Sequence, residues 1–143
     1  MTFRISRISS LLVVALGLCL TQGCSKLIEP KEFDIVGQWG VVTETFYFPN
    51  MDPSYCGPLT NGYYEYWTFL INGALSVKHN QSQKIEYGDY IYNANKKTLR
   101  YIYDGYNHYI DADVFVSSPT EMIVTANFSY GGKTIYQMKK TAW

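Results

Sequence analysis

Three cysteines, two histidines and twelve carboxylates are the side chains in this sequence that can carry chemistry. Nucleophilic catalysis needs a thiol or hydroxyl with a base beside it, yet Cys56 has neither His79 nor His108 near it in sequence and no motif around it. It reads as an incidental or half-buried loop thiol. A metal site needs donors that converge. His108, Asp111 and Asp113 are close along the chain, but the two-residue period of a strand sends His108 with Ile110 and both aspartates with Tyr109, so no metal is expected. Glu65, Glu86 and Asp89 are the carboxylates that would supply an acid–base pair; sequence gives no separation between them, and solvated strand faces carry such charges routinely. Gly-x-Ser-x-Gly, a phosphate-cradling glycine loop and His-Glu-x-x-His are all absent. No catalytic residue and no cofactor is therefore expected, and a hydrolase is the minority reading.

Cys24 belongs to a different chemistry. Arg4 and Arg7 precede an uncharged apolar run, Leu11 to Leu20, which ends at Thr21, Gln22, Gly23 and Cys24. This is the layout of a secretory signal over residues 1–23, since the run is about half the ~20 residues that a membrane-spanning helix needs. Gly23–Cys24 resembles the end of a lipobox, in which the cysteine thiol receives a diacylglyceryl group before cleavage; Thr21 and Gln22 depart from the usual pattern. Cys24 is the expected lipid attachment site, with plain secretion as the alternative. Several acyl chains on one cysteine hold stably where one holds weakly. Ser25 in place of Asp resembles lipoproteins sorted to the outer membrane, so the expected location is the cell envelope, lipid-anchored. Residues 24–33, with charges and Pro30 but no apolar period, read as a tether.

The roughly 120 residues from Cys24 onward suffice for one domain and not two. Removing Arg4 and Arg7 with the signal leaves a near balance of basic and acidic residues without a basic stripe, so nucleic acid is excluded as a partner. With Cys19 lost and Cys24 acylated, Cys56 has no disulfide partner.

Over residues 34–143 the elements that must position any site are strands. Runs rich in Val, Ile, Thr, Tyr, Phe and Trp alternate with turn clusters at intervals of about ten residues, an antiparallel all-β pattern. Eight strands are expected: Val36–Phe48, Gly62–Ile71, Ala74–His79, Lys84–Asn93, Thr98–Tyr103, Tyr106–Val116, Glu121–Phe128 and Lys133–Lys140. Asn72–Gly73 and Asp104–Gly105 suit two-residue hairpin turns, Gly131–Gly132 serves the last hairpin, and Ser117 to Thr120 makes a wider turn. Parity puts Trp67, Phe69 and Ile71 on one face, continued by Leu75 and Val77, with Tyr64, Tyr66 and Thr68 opposite. Leu99 with Tyr101, Val114 with Val116, Met122 with Val124 and Ala126, and Tyr136 with Met138 extend the apolar face. Closing eight hairpin-linked strands on themselves removes both edges and leaves an interior for side chains or one small ligand.

At this point the residues resemble a family. Gly37-Gln38-Trp39 resembles the Gly-x-Trp signature of lipocalins, whose Trp closes the barrel base. Phe69, Gly73, Leu75, Val77, Gly88-Asp89-Tyr90, Leu99 and Tyr101 are similar to the spaced pattern of small lipocalin-like domains on bacterial lipoproteins. The nearest approach to Thr-Asp-Tyr is Gly88-Asp89-Tyr90, and Lys139 or Lys140 stands where the family often has an Arg covering the Trp. The resemblance implies an eight-stranded antiparallel up-and-down barrel, with Gly37 and Trp39 as its structural base. It also implies a small apolar or amphipathic ligand inside, walled by Trp67, Phe69, Tyr90 and Tyr101. Residues 49–61, with Pro49, Pro53 and Pro58, correspond to the loop over the mouth, carrying Tyr55; a proline-stiffened surface loop is the equal alternative. The fourteen tyrosines suit a pleated half-buried surface. They also suit a rival function, an envelope-surface module that binds glycan or protein through exposed tyrosines such as Tyr64 and Tyr66: Tyr63, Tyr64, Tyr66 and Trp67 cluster just after the loop, and Tyr101, Tyr103, Tyr106 and Tyr109 flank Asp104–Gly105.

Overall fold

Residues with β-branched and aromatic side chains on one parity form strands throughout the computed structural model, which describes residues 33–142. The expected signal peptide (1–23), Cys24 and all of the tether except Phe33 lie outside the described residues. The strands are β1 (Gly37–Tyr47), β2 (Ser54–Cys56), β3 (Glu65–Phe69), β4 (Ala74–His79), β5 (Ile85–Asn93), β6 (Thr98–Tyr103), β7 (Ile110–Ser118), β8 (Glu121–Asn127) and β9 (Lys133–Ala142). From β3 to β9 each strand pairs antiparallel with the next, and β1 pairs with both β3 and β9. Eight strands thus close into an up-and-down barrel, as expected, which leaves no open edge along the ring. The short β2 lies outside that count. It continues the sheet beside Glu44 to Phe46 of β1, where β3 does not reach.

The interior is legible from the register. Trp67 lies opposite Val77, Phe69 opposite Leu75, Tyr90 opposite Tyr101, Leu99 opposite Ala112, and Met122 opposite Met138. All of these are buried in one continuous core, and fully burying one such side chain is worth about 1.5–3 kcal/mol. The outer faces carry Lys78, Asp89, Arg100, Asp111, Asp113 and Lys139, all exposed.

The barrel is closed at the end where the described chain begins. The Trp39 indole N–H donates to the Ile35 carbonyl (2.7 Å), and Phe33 packs on the ring at 5.7 Å. The Lys140 ammonium lies over the Trp39 ring, 5.4 Å from its centroid. Gly37 is required here twice over. Its φ is +126°, and an added Cβ would come within 2.8 Å of both the Ala142 carbonyl oxygen and the Lys140 stem. Gly37, Trp39 and Lys140 therefore form one base.

Three expectations change. Ile71 is 90% exposed instead of facing inward. The Gly73 N–H bonds to the Leu70 carbonyl and only Gly73 takes positive φ, so Ile71 and Asn72 form the tip of a longer turn than the two-residue one expected. The β8–β9 turn repeats this device with Gly131 and Phe128. Finally, β7 starts at Ile110 instead of Tyr106, and β3 at Glu65 instead of Gly62.

Candidate functional site: the open end of the barrel

Because neighbouring strands run antiparallel, the C-terminal ends of β1, β4, β6 and β8 meet the N-terminal ends of β3, β5, β7 and β9. Inward polar side chains gather at this open end: Glu44, Glu65, His79, Glu86 and Thr134. Register places them. Glu65 is opposite His79, Glu86 is opposite Val77, and Thr134 is opposite Ala126. Glu44 arrives by a different route. Val41 pairs with Met138 and Thr43 with Gln137, leaving Val42 as an extra residue in β1. Beyond this bulge the parity inverts, so Glu44 faces inward opposite Tyr136 and Phe46 opposite Thr134.

His79 bridges two carboxylates. Its Nδ1 is 2.7 Å from Glu65 Oε1 and its Nε2 is 2.9 Å from Glu86 Oε2. Only the imidazolium can donate from both nitrogens. Burial alone would lower the His79 pKa, but the hydrogen bonds and charges of Glu86 and Glu65 outweigh it and raise it. Hydrogen bonds from Lys84 (2.6 Å) and His79 hold the Glu86 carboxyl below the usual carboxylate range. Glu65 also accepts from the Trp67 indole N–H at 2.8 Å. Glu44 is the exception: it is 9% exposed and has no hydrogen-bond partner among the described residues. Burial, then the Glu65 charge, push its carboxyl up to about 7 against the pull of His79. Beneath this cluster lies an aromatic floor. Trp67 packs 5.2 Å from both Tyr101 and Tyr136, and Tyr103 packs 5.6 Å from Tyr101. Burial keeps all three of these phenols neutral by raising their pKa values.

Of the expected ligand-binding residues, Trp67, Phe69, Tyr90 and Tyr101 all face inward and meet. They divide by depth. Phe69 and Tyr90 pack edge to face at 4.9 Å, and the Tyr90 hydroxyl donates to the Leu70 carbonyl, so both belong to the packed lower half. Trp67 and Tyr101 form the floor below the mouth. Tyr55 is 63% exposed and shares the outward face of Thr45, so it does not cover the opening. The inner-face residue of β2 is Cys56, opposite Glu44. Residues 49–61 add a hairpin to the rim, fastened where the Tyr64 hydroxyl donates to the Gly57 carbonyl.

Sequence reasoning names Glu65 and Glu86 but places them in water, and it misses Glu44 and His79 as site residues. The signal for Glu65 is its parity with Trp67, and for His79 its parity with Val77. Asp89 is exposed on the outer wall. Among the described residues no cluster of His, Cys, Asp and Glu has the geometry to hold a metal ion. His108 is exposed, Asp111 pairs with Arg100 at 2.6 Å, and Asp113 accepts from Asn127. The outward tyrosines near β3 are largely structural: Tyr63 lies over Gly40, where a Cβ would collide with its ring, and packs on Tyr66 at 5.5 Å. A shallow outer depression of about 430 Å³ over β5–β7 holds Lys96, Arg100, Asp111 and Asp113, the charges of Arg100 and Asp111 already paired. No protein-family profile, no curated protein and no solved structure matches this chain.

Proposed function

We propose that this protein is an envelope lipoprotein, anchored through Cys24, whose barrel binds a small amphipathic molecule at its open end. The observation that carries the reading is the unequal interior. The lower half is filled by Phe69, Leu75, Tyr90 and Leu99, whereas the upper half combines an aromatic floor with the inward carboxyl of Glu44, which has no hydrogen-bond partner among the described residues and whose oxygens still reach the opening. An apolar lining with a few convergent polar groups is the usual make-up of a ligand site. The apolar part of the ligand rests on Trp67, Tyr101, Tyr103 and Tyr136, and its polar end reaches Glu44.

An NMR titration of residues 32–143 with phenethyl alcohol tests this. Shifts centred on Glu44, Trp67, Tyr103 and Tyr136, with the Trp39 and Leu99 amides unmoved, are expected. Saturable shifts at the outer tyrosines alone would overturn it, and would favour the rival surface module; exposed Tyr106 and Tyr130 give that rival its footing. Anchoring has its own test: incorporation of labelled palmitate that vanishes in Cys24→Ser.

A further inference from the structure

We infer that the open end recognises an organic cation, a protonated amine on a small apolar body, with the Glu44 carboxylate as its ionic partner. The inference rests on the mouth being the ligand site, and goes beyond it by fixing the charge of the ligand.

The charges at the mouth do not balance without such a guest. Glu65 and Glu86 are matched by His79 and Lys84, each pair within 2.9 Å. Glu44 is left over: its side chain faces inward, the residue is nine-tenths buried, and it has no hydrogen-bond or ion-pair partner among the described residues, while its oxygens stay open to the mouth. The groups around it come from every adjoining strand: Tyr136 and Thr134 on β9, Cys56 on β2, Glu65 on β3 with Tyr64 just before it, and His79 on β4. Glu65 acts on Glu44 more strongly than His79 does, so the net field there is negative and favours a cation. The rings complete the case. Tyr136 lies directly across from Glu44 and Trp67 packs 5.2 Å from it, so aromatic rings adjoin the carboxyl, and a partly desolvated cation gains from such rings. An anionic guest would instead meet the uncompensated Glu44 carboxylate, with His79 and Lys84 already engaged by Glu65 and Glu86.

The barrel closes within residues 32–143, with every strand partner and core residue inside that segment, so it is the unit for measurement. Three probes of one shape are titrated calorimetrically: phenethylamine, phenethyl alcohol and hydrocinnamate. A charge-assisted hydrogen bond is worth about 1.5–3 kcal/mol, so phenethylamine is expected to bind at least about tenfold more tightly than the alcohol at about pH 8. The advantage shrinks toward about pH 5, as Glu44 takes up its proton while the amine stays charged. In Glu44→Gln the amine loses its advantage over the alcohol. Equal binding of all three probes, preference for hydrocinnamate, or an amine advantage that survives in Glu44→Gln overturns the inference while leaving a ligand site in place. If none of the three binds, the ligand-site reading fails together with it. Glu44→Gln removes a buried charge and is expected to fold; the pH series on the unaltered protein tests the same point without it.

Discussion

The two ends of this barrel are built on the same strands and solve opposite problems. At the closed end the inward groups are apolar or cover an apolar ring: Ile35, Trp39, Met122 and Met138 are buried, and Lys140 lies across Trp39 with its ammonium over the π face. The one polar atom of the Trp39 ring is satisfied there, its N–H donating to the Ile35 carbonyl. At the open end, three glutamates and a histidine face the same interior. Taking carboxylates out of water weakens a fold unless each is paired. Stability is thus concentrated in one half, and the other half holds chemistry the fold itself does not need.

The largest effect that tests this division is at the base. Trp39→Ala removes a fully buried indole, its hydrogen bond and its Lys140 contact, and is expected to cost about 3–5 kcal/mol in urea unfolding. Phe46→Ala, an inward aromatic at the mouth that is only half-buried, is expected to cost less than half as much. Comparable losses at the two sites would break the comparison, because the mouth would then be core.

The same division explains what can be read from the sequence. The closed half and the aromatic floor above it are legible: Gly37, Trp39, Trp67, Phe69, Leu75, Leu99, Tyr101 and Met138 follow two-residue parity, and hydrophobic parity is what fixes register. The open half is not, for two physical reasons. Charged residues on strands are solvated far more often than buried, so Glu65 and Glu86 read as solvated although each sits two residues from an inward Trp67 or Gly88. Only the pairing of β3 with β4 and β4 with β5 brings His79 between them. Glu44 depends on the extra residue at Val42, and a bulge leaves no mark in a pattern as uniformly β-branched as Val41-Val42-Thr43. Ile71 misleads for a related reason, since Asn72–Gly73 permits two turn lengths and the longer one puts Ile71 at the tip.

A middle-sized effect sharpens the comparison through pH. The Glu44 carboxyl lies at about 7 in the fold against an unfolded value of 4.5. Between those two values the folded state keeps a proton that the unfolded chain has released, so stability falls as pH rises from about 4.5 to about 7 and is level above. The size is on the order of 1–3 kcal/mol. His79, whose pKa is raised, adds a loss as pH climbs above its unfolded value of 6.5. Glu86, whose pKa is lowered, works in reverse: its contribution is present above 4.5 and is lost as pH falls. Glu44→Gln should abolish the Glu44 part of the decline and be more stable than the parent at about pH 8. Urea midpoints at several pH values check this. A variant whose midpoints track the parent across the range would show that Glu44 is solvated, and the mouth would then be no different in kind from the outer wall.

The smallest effect returns to the base. Lys140 serves Trp39 there in two ways, by the stem that crowds Gly37 and by the ammonium over the ring. Substituting Lys140→Met keeps the apolar stem and removes the charge, so it reports everything the ammonium contributes, of which the attraction to the ring is about 0.5–2 kcal/mol. Lys140→Ala removes both and should cost more. Lys140→Arg restores a cation with a flat face suited to stacking on the indole, and should match the parent or exceed it slightly. The order Arg, Lys, Met, Ala in urea midpoint is the expected result. If Met and Lys proved equal, the base would be held by apolar packing alone, and the only charges with energetic weight in the interior would be those at the mouth.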